Sequence, residues 1–316
     1  MNNELDTVAK PEDIAIDAID RTMHEIGLKG VLKHDEPMAH HTTWRVGGNA
    51  EHYFEPADLD DLCLYLTNLP ADESIIWLGL GSNLLVRDGG IRGTVVAVAG
   101  VLNELEFLQP DRIRVGAGAT CAKLARFCAK SGLAGAEFFA GIPGTMGGAL
   151  AMNAGAFDRE TWDIVTSVDL INRSGQRMVR IRENFEIGYR HVQIEKDEWF
   201  IAAQLQLDID PSQQADKRIR ELLAKRSSTQ PMGKASCGSV FRNPAGDYAA
   251  RLIESCGLKD KRIGQACVSN KHANFIINLG GATAADIEQL ILHIKDAVKQ
   301  EHAVELTPEV RIVGEA

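Results

Sequence analysis

Residues 141–155 read GIPGTMGGALAMNAG, with five glycines in fifteen positions and no lysine, arginine, aspartate or glutamate. Glycine lets the main chain approach a group that any Cβ would hold off, and bare N–H groups at a loop-to-helix transition make a seat for a phosphate. Read alone, the segment fits a glycine-rich turn packed under a helix equally well. Upstream, LGLGSNLLV at residues 78–86 runs an apolar strand into Gly-x-Gly-Ser-Asn and back into an apolar run. A Rossmann fingerprint requires three glycines opening a helix, and a Walker A loop requires Gly-Lys-Ser/Thr; neither is present. Two backbone-rich turns in one chain suit a pyrophosphate gripped from two sides, which favours the ligand reading.

The bulk composition makes any such anion site local. Among 316 residues, 34 basic against 44 acidic side chains give a formal charge of -10, which argues against nucleic acid or an anionic membrane as the main ligand. A hydrophobic content of 45% fills ordinary cores in two or three domains. Cysteines 63, 121, 128, 237, 256 and 267 form no CxxC and no zinc spacing, so a reduced cytosolic chain without a metal site is expected. The first 30 residues carry Glu4, Asp6, Glu12 and Asp13 and no apolar run, so neither signal peptide nor membrane span is expected.

Periodicity divides the chain. A helical appendage is expected over residues 11–27, opened by Pro11 and stopped by Gly27, within a separate segment 1–29. Residues 30–100 carry a helix at 58–69 and strands at 75–80 and 94–99. Residues 101–210 carry a hairpin at Pro110-Asp111, a helix at 120–131, and strands at 165–172, 177–181 and 199–209. Cys121 and Cys128, seven apart on the helix, read as core packing. The polar run PSQQADKR at 211–218 begins a charged helix ending near Arg226, and marks a C-terminal domain, 211–316. There Thr283 and Asp286 form a capping box for a helix that turns Ile287, Leu290, Ile291, Ile294 and Val298 inward. The fold class is α+β in two or three lobes.

Other constellations are unspecific singly. Arg45 in TTWRVGGNA supplies a cation beside a Gly-Gly turn or a surface residue, and His40-His41 reads as a polar turn. SCGSVFRNP at 236–244 is no GxSxG elbow, and Cys237 reads as packing rather than as a nucleophile. Tyr189-Arg190 offers a guanidinium fork, and TPEVRIVG at 307–314 places Glu309 just before a β-branched strand, where it can hold or pass a proton.

Taken in order, TTWRVGG, GLGSNLLV, GIPGTMGGALAMNAGA, Tyr189-Arg190, CGSVFRNP, the KHANFIIN run from Lys271 and PEVRIVG resemble the UDP-N-acetylenolpyruvoylglucosamine reductase (MurB) family, over about Gly30 to Gly314. The resemblance implies a two-lobed FAD-binding fold of the vanillyl-alcohol-oxidase type, plus a C-terminal α/β substrate-binding domain. It implies non-covalent FAD held by Arg45, by Gly79, Gly81, Ser82, Asn83 and Leu84, and by Gly141, Ile142, Pro143, Gly144, Gly147, Gly148, Asn153 and Gly155. It implies NADPH as co-substrate, with UDP-N-acetylglucosamine enolpyruvate reduced to UDP-N-acetylmuramate in peptidoglycan synthesis. Hydride would reach C3 of the enolpyruvyl group and a proton C2. Arg190 would clamp the carboxylate, Ser239 would donate the C2 proton, and Glu309 would polarise the intermediate. Tyr189, Arg226, Asn243, Lys271 and His272 would meet the UDP end. Many relatives carry a lysine where this chain has Thr229, and Lys225 or Lys234 is the expected replacement. Only HVQIEKDE separates Arg190 from Trp199, which resembles the shorter type without an inserted tyrosine loop. The family also implies a cytoplasmic protein, for which a monomer is favoured. A flavin oxidase of the same fold and a non-catalytic nucleotide-binding regulator stay open as alternatives.

Overall fold

The computed structural model describes residue 23 and residues 26–316, so the expected N-terminal helix falls almost wholly outside the described residues. The first lobe is a four-stranded sheet in the order Val31–Pro37, Asn49–Glu55, Ile91–Ala97, Ile75–Leu78. Its first pair is antiparallel and the rest parallel, and Val95 and Val96 in the central Ile91–Ala97 are fully buried, as parallel strands covered on both faces require. Helix Leu59–Asn68 starts where the Asp58 carboxylate accepts from Asp61 N–H, and it packs Leu62, Tyr65 and Leu66 against Phe54.

The second lobe is antiparallel, in the order Arg177–Ile181, Val165–Asn172, Glu198–Gln206, Arg112–Gly116, Leu105–Gln109. The expected hairpin at Pro110-Asp111 is present, and the expected strands at 165–172 and 177–181 pair as a second. Thr120 caps helix Cys121–Lys130. Its two cysteines are buried, which pushes each thiol pKa up to about 12 and leaves them inert packing groups.

The third lobe packs helices Ala249–Ser255 and Ala284–His302 on the strands Arg262–Ile263, Ala266–Val268 and Ile276–Asn278. The Thr283–Asp286 capping box is formed, and all five expected inward residues are buried. The charged helix runs from Ala215 to Thr229. Its start is fixed by the Asp210 carboxylate, which accepts from the N–H groups of Gln214 and Ala215. Ala215 and Ile219 enter the second lobe's core, and Arg218 pairs with Glu137 and Asp210. The polarity change at residue 211 therefore marks an exposed helix face, while the third core begins further on, at Cys237.

Residues from the first lobe complete the third. Trp44 and Val46 are buried in its core; the Trp44 indole N–H donates to Ile276 O at 2.8 Å, and Asn278 Nδ2 donates back to Trp44 O at 2.9 Å. The Asp88 carboxylate accepts from Ala284 and Ala285 N–H, both at 2.9 Å, at the start of the long helix, and Arg87 grips Glu288 with two nitrogens. Replacing Trp44 by Phe keeps most of the buried ring but strands the Ile276 carbonyl, at a cost of about 1–3 kcal/mol. The expected result is a lower urea unfolding midpoint, and an unchanged midpoint would show that this tie carries no stability.

Candidate active site

A cavity of about 800 Å³ lies where the three cores meet, walled by Gly79–Leu84 from the first lobe, residues 141–157 from the second, and Ser239, Phe241, Asn243 and Glu309 from the third. The two glycine turns touch each other. A Cβ at Gly79 would sit 2.5 Å from Thr145 Oγ1, and Gly81, at φ +59°, leaves only 2.0 Å between such a Cβ and His41 O. Among the described residues, no acceptor takes the main-chain N–H groups of Gly79, Leu80, Gly81, Ser82 or Asn83. Unpaired N–H groups converging on a cavity make an anion nest, which fits a pyrophosphate.

The second turn differs from the expectation of a matching N–H seat. Its Gly144, Met146 and Gly147 N–H groups donate to Ile142 O, Ala119 O and Ala117 O, and Gly148 N–H meets Thr145 Oγ1 at 3.5 Å. What faces the cavity is Cβ-free backbone: an added Cβ would meet nothing nearer than 3.5 Å at Gly144 and 3.8 Å at Gly148. The grip is thus asymmetric, with donors from one turn and close approach from the other.

The reacting end is built from residues distant in sequence. Arg190 Nε lies 3.3 Å from Glu309 Oε1, close enough for an ion pair but misaligned, so that nitrogen is buried without a hydrogen bond. The other Arg190 nitrogens donate to Asn153 O at 3.3 Å and Gly155 O at 3.0 Å, and the guanidinium carbon lies 5.1 Å from the Tyr189 ring centre. Burial raises the Glu309 pKa above the usual carboxylate value, although Arg190 and Arg242 pull it back. Asn83 ties the nest to this cluster, its Nδ2 donating to Glu309 O at 3.0 Å and its own carbonyl accepting from Arg311 N–H. Ser239 is half-buried and follows Gly238, which takes φ +81°. Cys237 is buried and its pKa pushed well up, so it packs, as its sequence setting suggests.

Not every expected contact lines this cavity. Tyr189, Arg226 and Asn243 do, as do Lys225 and Thr229. Arg45 and Lys234 instead line an adjoining cavity of about 630 Å³, which shares Arg226, Gly79, Pro143 and Gly238 with the first. Asn153 stands behind the wall as a buttress, donating to Glu160 and Gly188 O and accepting from Trp162 N–H. Lys271 and His272 line neither cavity: Lys271 Nζ donates to Ser227 O, and the His272 ring stands edge-on to Phe275 with its pKa lowered by burial. The stacked indoles of Trp77 and Trp199, 5.1 Å apart, and Asn274 are cavity residues that sequence reasoning missed. A lone asparagine inside the apolar run Ala273–Ile277 is the signal for Asn274, because a buried amide demands partners. Among the described residues, no cluster of three or more His, Cys, Asp or Glu could hold a metal, and no helix is long and apolar enough to cross a membrane.

Residues 50–180 match the family model of an FAD binding domain, and residues 230–313 that of the UDP-N-acetylenolpyruvoylglucosamine reductase C-terminal domain. UDP-N-acetylenolpyruvoylglucosamine reductase of Alkalilimnicola ehrlichii is 56% identical over 287 residues, 91% of this chain and 96% of its own. The Legionella pneumophila (strain Lens) protein of the same name is 53% identical over 96% of this chain and 98% of its own. The crystal structure of the Thermus caldophilus reductase superposes with a TM-score of 0.77 at 31% identity, covering 90% of this chain and 98% of that one. Gly81→Ala would force a left-handed residue against His41 O, a strain of about 1–3 kcal/mol. The variant is expected to bind FAD about tenfold or more weakly, read as flavin absorbance per protein; full occupancy would discount the nest.

Proposed function

The chain belongs to the UDP-N-acetylenolpyruvoylglucosamine reductase family, FAD-dependent enzymes of peptidoglycan synthesis, and from this premise we propose that Arg190, Ser239 and Glu309 are its reacting residues. The observation that carries the reading is that these three, from separate segments of the chain, line the same cavity as the glycine nest, with Arg190 Nε 3.3 Å from Glu309 Oε1. The Gly79–Asn83 N–H groups would hold the FAD pyrophosphate, and Gly144 and Gly148 would let the cofactor approach bare backbone. FAD, when bound and reduced by NADPH, would supply the hydride that adds to C3 of UDP-N-acetylglucosamine enolpyruvate.

The protein's own groups then handle the charge left at C2 and on the adjoining carboxylate. Arg190 sets a fixed positive charge against that carboxylate. Ser239 Oγ–H gives its proton to C2; a hydroxyl is a weak acid in water, and the step relies on a strongly basic carbanion in a largely dry pocket. Glu309, whose pKa burial raises, steadies the developing enolate from the same cavity. Tyr189, Arg226 and Asn243 meet the UDP moiety, and Lys225, which lines the same cavity as Thr229, supplies the cation that many relatives carry at that position. Lys271 and His272 have no part in this reading. We place the enzyme in the cytoplasm as a monomer, a setting with which its six free cysteines agree.

The test is anaerobic: flavin bleached by NADPH should regain its colour when the enolpyruvyl sugar nucleotide is added, and persistent bleaching would sink the reading. Ser239→Ala should slow that recovery by about 10²–10⁴ while sparing reduction by NADPH, the range of one general acid. Equal slowing of both halves would remove Ser239 from the C2 step. A raised acid keeps its proton to higher pH, so the recovery rate should fall as pH rises through an inflection above 4.5. Glu309→Gln, neutral throughout, should lose that inflection; its persistence would assign it to another group.

A further inference from the structure

We propose that Asn274 is the positioning residue that sets Ser239 against Glu309. Asn274 is 3% exposed, and its carboxamide is spent on the main chain of Phe241: Oδ1 accepts from Phe241 N–H at 2.9 Å, and Nδ2 donates to Phe241 O at 2.8 Å. Its own carbonyl accepts from Val240 N–H at 2.9 Å. The two residues that follow Ser239 are therefore held at three points by one asparagine. Those same residues carry the Glu309 segment. Val240 O accepts from Glu309 N–H at 2.7 Å, Arg242 N–H donates to Thr307 O at 3.0 Å, and Phe241 bridges to Pro308.

The amide thus gives Phe241 the pair of bonds that a second neighbouring strand would supply, presenting one acceptor and one donor at the spacing of a peptide group. Gly238, at φ +81°, gives the chain before Ser239 a turn that a side chain would resist, so the order of the Ser239 hydroxyl depends on what fixes the residues after it. Removing the carboxamide leaves the Val240 bond to the Asn274 carbonyl but frees Phe241 to shift, and a shift of a fraction of an ångström passed to the proton donor is costly to proton transfer. Asn274 lines the cavity, yet the bonds of its side chain run to backbone, so it acts through Ser239.

The inference rests on the reading of Ser239 as the C2 acid. Asn274→Ala in the holoenzyme is expected to slow flavin recovery with the enolpyruvyl sugar nucleotide at least tenfold, with flavin content and reduction by NADPH within twofold and the half-saturating nucleotide concentration little changed. Asn274→Asp keeps the acceptor and lacks the donor until it is protonated; its rate relative to wild type should rise as pH falls. In a Ser239→Ala background, Asn274→Ala should add less than a twofold loss, because the group it positions is gone. A full tenfold loss in that background, or equal slowing of both half-reactions, overturns the proposal. If Asn274→Ala does not fold, the Asp variant decides, and a pH-independent ratio overturns it. Unimpaired recovery in Ser239→Ala alone would instead strike the underlying reading of Ser239.

Discussion

The parallel pairing of Arg311–Val313 with Leu84–Val86 is the constraint on which the site depends. It lays the end of the chain beside the strand that leaves the first glycine turn, so Asn83 can bond both the Glu309 carbonyl and the Arg311 N–H. Without that pair, no backbone ladder would tie the nest to the acid. Trp44, buried in the third core, and Asp88 at the start of the long helix reinforce the same seam from the first lobe. All are backbone-anchored contacts, which fix position more tightly than a pair of long side chains can.

Electrostatics at the seam follow from burial. Glu309 is removed from water between two guanidinium groups, and desolvation outweighs their attraction in setting the direction of its pKa. Arg190 directs its other nitrogens to Asn153 O and Gly155 O, leaving its Nε misaligned toward Glu309. Its left-handed backbone, at φ +54°, is held by those bonds. The pair stays close without an aligned hydrogen bond: a cation and an acid of raised pKa line the same cavity.

Much of this was legible in the sequence, because the signals were local. The capping box at Thr283, the hairpin at Pro110-Asp111, and the inward stripe from Ile287 to Val298 all rest on residue type and spacing, and each took the expected form. The family resemblance rested on ordered motifs and agrees with the relatives found. What could not be read was where each main-chain N–H is spent. The second glycine turn looked like a phosphate seat, but Ala117 and Ala119, far upstream, take its donors. Composition likewise separated the helix Ala215–Thr229 from the second lobe, because its exposed face is polar, while two small apolar contacts decide where it packs. Lys271, a cation in a named motif, turned out to serve the Ser227 carbonyl.

The acid excess of the chain and an anion-holding interior are compatible because the fields that matter are short-ranged. At physiological ionic strength, charges more than about 8 Å apart across solvent are largely screened. The net charge of -10 is therefore felt mainly outside the cavities. Within them, Arg226 is half-buried and its side chain, among the described residues, bonds only to Gln230; burial lowers its pKa, the sign of a cation with no carboxylate to offset its desolvation. Arg45 and Lys234 on the adjoining wall likewise have no ion-pair partner among the described residues. Elsewhere, arginines such as Arg87, Arg114, Arg180 and Arg218 are each matched to an acid. A chain rich in acids that leaves its cavity cations unmatched has local room for an anion there, and the charge of that anion would relieve the cost of holding Arg226 away from water.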